Sequence, residues 1–256
     1  MGRDATTGWF PEWEPFARAV QERRPDAGTW CEAWTVRDVV VHQAGTAEEL
    51  ARVLVAHLGG VAMATRGFEE REAPYRAMNG ADLWSALVAR MAELATVAEA
   101  ASGVPVDTDV AWTGRTMKVP WFAEHMREEL ALHRWDITGD DAVAQSTLSE
   151  PWMTTHTVIA VGRPLLARGV ARVDLRLGER IEGRLRVLGT NDVLVTAEGD
   201  RTAMSFAAPD GPATLETDAA ARVLLLWGRR PADPARIRSV AGPDALRRVR
   251  NLLSGY

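Results

Sequence analysis

Glu129 and His133 stand four residues apart in the run Met126-Arg-Glu-Glu-Leu-Ala-Leu-His-Arg-Trp-Asp136, and His42 closes the run Trp34-Thr-Val-Arg-Asp-Val-Val-Val-His42. In a helix, a spacing of four puts both side chains on one face, one turn apart. A carboxylate and an imidazole held in this way form half of a divalent-metal site. A third ligand from another helix would complete a two-histidine, one-carboxylate set with open coordination positions, the arrangement of catalytic metals. Leu130, Leu132 and Trp135 surround the pair, so it need not face water. A buried Glu129 without a partner would cost several kcal/mol, which asks for a cation.

Spacing leaves alternatives open. His125 lies one turn before Glu129 and would make a symmetric half-site with it, and Glu128 replaces Glu129 if the helix face is rotated. Asp136, three residues after His133, stands either to orient that imidazole from behind or as simple charge on a last turn. A lone histidine such as His42 on a valine-rich helix is commonly a core residue with one hydrogen bond; the pair at the matching depth of another helix is what raises it to a ligand. His57 and His156 have no acidic or histidine partner at ligand spacing and read as structural. Cys31 lies between Trp30 and Trp34 with no histidine near it in sequence, and reads as a packed, inert thiol.

The elements that must carry these residues are mostly helices. Trp9, Trp13, Phe16 and Val20 follow the helical period up to Pro25. Thr35 with Asp38 predicts a capping box, followed by a stripe of Val36, Val39, Val40, Ala47, Leu50, Val53 and Leu54 ending at Gly59-Gly60. A third helix is expected over about 82–102, and a short hairpin over 110–119. Pro120 then suits the first turn of a fourth helix running to Gly139. Four helices joined up and down predict an all-α four-helix bundle over 1–168, a fold whose core hosts metal sites built from facing helices. Beyond Ala171, the segments 173–177, 183–187, 193–195 and 203–206 alternate as strands, and helical signals return at 219–227 and 244–253. These predict a smaller α+β domain over 169–256.

Composition narrows the function. With 46% hydrophobic and 25% charged residues the chain is an ordinary globular one, and its formal net charge of −5 with no basic stripe argues against a nucleic-acid partner. Positive charge is almost all arginine, Lys118 being the single lysine. One cysteine allows no intramolecular disulfide, and no apolar stretch is long enough for a membrane span, so a soluble, cytoplasmic protein is expected.

These residues resemble a known family. The runs Cys31-Glu-Ala-Trp-Thr-Val-Arg-Asp-Val-Val-Val-His42 and Glu129-Leu-Ala-Leu-His-Arg-Trp-Asp136 are similar to those of the DinB-like metal-binding bundles, specifically the mycothiol-dependent maleylpyruvate isomerases and related mycothiol transferases. The C-terminal Leu224-Leu-Leu-Trp-Gly-Arg-Arg-Pro231 resembles that family's sterol-carrier-like second domain. The resemblance implies zinc held by His42, Glu129 and His133, with Asp136 behind His133 and no required role for His125. It implies that zinc lowers the pKa of a low-molecular-weight thiol, mycothiol or a relative, to give a thiolate nucleophile at neutral pH. That thiolate would add reversibly to a conjugated double bond in an isomerase, or stay on a small electrophile in a transferase. The second domain is implied to close over the pocket and offer Arg229 or Arg230 to an acidic substrate. A monomer or weak homodimer is expected. The rival reading is a non-catalytic zinc-stabilised ligand-binding or regulatory protein of the same fold, and a minor third places Fe(II) in the same ligand set.

Overall fold

The computed structural model describes residues 5–113, 115–170, 173, 175 and 178–254, with backbone alone for 162–165. By internal packing the chain divides into two compact units, Met1–Gly139 and Asp140–Tyr256.

The first unit is helical. It runs α1 (Ala5–Trp9), α2 (Trp13–Gln21), α3 (Val36–Leu58), α4 (Phe68–Arg76), α5 (Gly80–Ala101), a hairpin of β1 (Asp109–Trp112) and β2 (Arg115–Lys118), and α6 (Val119–Thr138). The expected capping box is present: Asp38 N donates to Thr35 Oγ1 at 3.2 Å, and Thr35 N donates to Asp38 Oδ2 at 2.9 Å. Asn79 caps α5, its side-chain oxygen accepting from Asp82 N at 3.0 Å. Helix α3 packs against α4, α5 and α6, and α2 against α6. Their shared core includes Phe16, Val39, Leu50, Leu54, Leu87, Met91, Leu94, Phe122, Met126 and Leu130. Apolar residues recurring every three or four positions supply that core, and its burial is the main source of the unit's stability.

Helix α4 is absent from the sequence reading. Its sequence, Phe68-Glu-Glu-Arg-Glu-Ala-Pro-Tyr-Arg76, carries four charges before its only proline and shows no apolar stripe. It is held by tertiary contacts instead. Gly45 of α3 lets it approach: a Cβ at Gly45 would stand 3.1 Å from Arg71 O and 3.3 Å from Glu72 Cγ.

The second unit is sheet-rich. After α7 (Ala142–Leu148), α8 (Pro151–His156), a π-helical turn (Thr157–Val161) and α9 (Gly162–Val170) come β3 (Arg180–Arg186), β4 (Asp192–Glu198), β5 (Arg201–Ala207) and β6 (Leu215–Thr217). Then follow α10 (Ala219–Leu226), β7 (Ile237–Ser239) and α11 (Pro243–Leu253). The sheet order is β5-β4-β3-β6-β7, with only the β3–β6 pair parallel. Ile181, Leu185, Val193, Val195 and Leu215 of the strands pack with Leu225, Leu226, Val249 and Leu252 of the helices. The expected segment 173–177 lies largely outside the described residues. Strands β6 and β7 are too short for alternation to reveal. Helices α7 to α9 group with the sheet, whereas the boundary expected at 168 leaves α7, α8 and most of α9 with the bundle; a helical pattern does not say which core its apolar face enters.

Candidate metal centre

Helix α3 delivers His42, 4% exposed, just beyond its capped first turn. Helix α6 begins with a proline in its first turn and stops at Gly139, whose φ of +74° is open to glycine at little cost. A Cβ there would also meet Trp30 Nε1 at 2.7 Å, so the glycine lets the loop before α3 close against the end of α6. Trp30 N donates to Asp136 O at 2.7 Å across that junction. Two helices are thereby fixed with His42 on one and Glu129 and His133 on the other.

The three side chains meet. Glu129 Oε2 lies 3.4 Å from His42 Nε2 and 3.2 Å from His133 Nε2, and one ligand atom from each residue falls within 4.8 Å of the other two. A tetrahedral ion with bonds of about 2.0 Å has ligand–ligand edges of about 3.3 Å. The two measured edges match that figure. All three residues are buried, and three protein donors would leave a bound tetrahedral ion with its fourth position open.

Each imidazole has a carboxylate at its other nitrogen. His42 Nδ1 hydrogen-bonds Glu72 Oε1 at 2.8 Å, and His133 Nδ1 lies 2.8 Å from Asp136 Oδ2. An ionised carboxylate only accepts, so both rings present Nδ1–H outward. Each Nε2 is thus left facing Glu129, where it would serve as the donor atom to a cation in place of a proton. Two imidazole nitrogens and a carboxylate converging in this way are a donor set that would suit a divalent cation. Glu72 was invisible to the sequence reading, because its helix has no periodic signal and thirty positions separate it from His42. Its one sequence cue, the four-residue spacing to Arg76, points to an ordinary surface ion pair.

Aromatic rings wall the cluster. Trp34 stacks on His133 with centroids 5.6 Å apart and planes 4° from parallel, and meets His42 edge-on at 5.1 Å. Phe68 lies 5.5 Å from the His42 ring, under the Arg71 guanidinium at 4.2 Å. Burial by itself would raise the Glu129 pKa, yet contacts from His133 and His42 hold it well below the usual carboxylate range. For His133, burial favours the neutral ring, but Asp136 and Glu129 outweigh it and push the pKa up. Glu72 also stays below the usual range against its burial, through His42 first and then Arg76 and Arg71.

The other expected residues stand outside that trio, although one ligand atom of His125 and one of Glu128 lie within 4.8 Å of each other. His125 is buried, its Nε2 3.7 Å from Glu129 Oε1, the carboxylate oxygen turned away from the His42–His133 pair. Glu128 is fully buried on the same helix. His57 is half-buried at the last turn of α3, and His156 is buried in the second unit. Cys31 is half-buried in the loop before α3, where its backbone N–H is held by Thr29 Oγ1 at 3.2 Å. In the second unit Arg229 is buried and donates to Trp227 O at 3.3 Å, while Arg230 is exposed.

Comparison with known proteins follows this geometry. Residues 10–138, half of the chain and containing all three clustered side chains, match the family model described as the mycothiol maleylpyruvate isomerase N-terminal domain. The chain belongs to that family. Two solved structures share its fold across nearly its whole length. One is the mycothiol-dependent maleylpyruvate isomerase, 16% identical with a TM-score of 0.59; the other is a histidine-to-alanine mutant with that name, 14% identical with a TM-score of 0.61. In each case the match covers 93% of this chain and 92% of the other. At such identities the likeness shows the fold: a helical N-terminal region and a sheet-rich C-terminal one. No curated protein matches the chain significantly. No helix among the described residues is long and apolar enough to cross a membrane.

Proposed function

We propose that this family member is a zinc-dependent enzyme that activates mycothiol, or a related low-molecular-weight thiol. It would use that thiol for transfer to, or cis–trans isomerisation of, a small electrophilic and acidic substrate. The helical unit is read as a DinB-like four-helix bundle, and the second unit as a sterol-carrier-like α+β domain.

One observation carries the reading: Glu129 Oε2 stands at tetrahedral edge lengths from both His42 Nε2 and His133 Nε2 in a buried cluster, with a carboxylate behind each imidazole. When bound there, zinc would supply Lewis acidity that favours the thiolate form of a thiol at neutral pH. The protein's own residues do the rest. Glu129 and the two Nε2 atoms would hold the ion, and Asp136 would fix the ring orientation of His133. Trp34 packs flat on that ring and keeps water from the face it covers. Arg229 and Arg230 are the residues proposed to meet a substrate anion.

The test is a zinc assay joined to thiol binding. Purified protein is expected to hold one zinc per chain, and mycothiol to perturb the metal-centred spectrum of a cobalt-substituted sample. His42→Ala should lose both the metal and turnover of maleylpyruvate or of a generic electrophile. Zinc retained in that variant, or zinc that no thiol can reach, would refute the reading; the second result would favour a purely structural metal.

A further inference from the structure

We infer that Glu72, carried on α4, is the positioning residue for His42, and that Gly45 and Arg76 exist in this arrangement to keep it there. The inference rests on the metal reading above. Glu72 is 2% exposed, and its two oxygens have different partners: Oε1 accepts from His42 Nδ1 at 2.8 Å and Oε2 from Arg76 at 2.5 Å. It touches the ring nitrogen directed away from Glu129, so it is not a fourth ligand to an ion at Nε2. Its effect is to hold the hydrogen on Nδ1, leave the Nε2 lone pair free, and set the ring's rotation.

The surroundings make that contact obligatory. Gly45 stands one turn after His42 on α3, and the missing side chain is what lets the α4 backbone and Glu72 Cγ come within 3.1 and 3.3 Å of the space a Cβ would fill. Arg76 also reaches back to Asp38 at 3.8 Å, tying the end of α4 to the first turn of α3. Phe68, on the first turn of α4, packs on the face of the same imidazole. A helix with no apolar stripe therefore delivers a carboxylate and an aromatic ring to a single histidine of α3, with Arg76 bound to that carboxylate. Asp136 serves His133 from the same helix, three residues on; His42 has no such neighbour on α3 and depends on α4.

The experiment is zinc affinity, measured by chelator competition, for wild type, Glu72→Ala, Glu72→Gln and Gly45→Ala, with melting of the zinc-free proteins alongside. Removing an outer carboxylate from a ligand histidine weakens metal binding about 10–100-fold, which is the loss expected for Glu72→Ala. Glu72→Gln keeps an oxygen acceptor for Nδ1–H while losing the charged pair with Arg76, so most of the affinity should return. A merely structural ion pair predicts instead that Ala and Gln fail alike. Gly45→Ala should weaken zinc in the same direction without altering any residue that touches the ion, and it reads the effect if Glu72→Ala fails to fold. Unchanged affinity in Glu72→Ala and Gly45→Ala, beside a wild type that binds zinc, overturns this inference and leaves the metal reading standing. A wild type that takes no zinc overturns both.

Discussion

Replacing Glu129 by glutamine keeps the side chain's shape and one neutral oxygen but removes the charge on which both His42 and His133 converge at 3.4 and 3.2 Å. Small zinc sites bind with about 10–16 kcal/mol shared over four ligands, or about 2.5–4 kcal/mol each. Losing one ligand's charge should therefore raise the zinc Kd by about 10²–10³-fold. The same change can be read as stability. At free zinc a thousandfold above the wild-type Kd, binding stabilises the folded state by about 4.1 kcal/mol; with the raised Kd this falls to about 0.4–1.4 kcal/mol. At about 2–4 °C per kcal/mol for a protein of this size, the variant should forfeit about 5–15 °C of the zinc-dependent gain in Tm. Chelator competition gives Kd, and melting with and without zinc gives the second number independently. A Glu129→Gln protein whose Kd stays within about tenfold of wild type and whose zinc-dependent rise in Tm is intact would refute the assignment, because no ligand charge had then been lost.

Three further outcomes follow from other contacts. His125 meets the far oxygen of Glu129 at 3.7 Å, so His125→Ala should lower zinc affinity far less than Glu129→Gln in the same competition assay. Thr35→Ala removes the capping box of α3 and should cost about 1 kcal/mol, read as a lower urea midpoint of the zinc-free protein with an unchanged m-value. Glu49 is buried, which by itself would raise its pKa, but Arg52 and Arg66 hold it below the usual range. A depressed folded pKa gives stability that is present above the unfolded value of about 4.3 and is lost as pH falls through the folded value. Glu49→Gln should therefore destabilise the protein at pH 7 by urea unfolding, and the gap from wild type should close in acid.

By itself the sequence determined the local features. The Thr35–Asp38 box, the Gly59 and Gly139 stops, Pro120 at a helix start and the four-residue step from Glu129 to His133 are short-range patterns, set by backbone hydrogen bonding and helical geometry, and each appears where its residues predict. The α+β texture of the last third was legible for the same reason, since strand alternation and turn residues act locally. What lies behind the candidate ligands was not legible. Spacing left Glu128 and His125 as equal choices, and only the rotation of α6 against α3 turns Glu129 Oε2 toward both His42 and His133. The position of α4, with Glu72 against His42, follows from a close helix–helix approach at Gly45 and not from any apolar pattern in its own sequence. Likewise the grouping of α7 to α9 with the sheet depends on which core their apolar faces enter. Periodicity tells a helix which face to bury; only packing chooses the partner, and that choice brings distant charges within bonding distance.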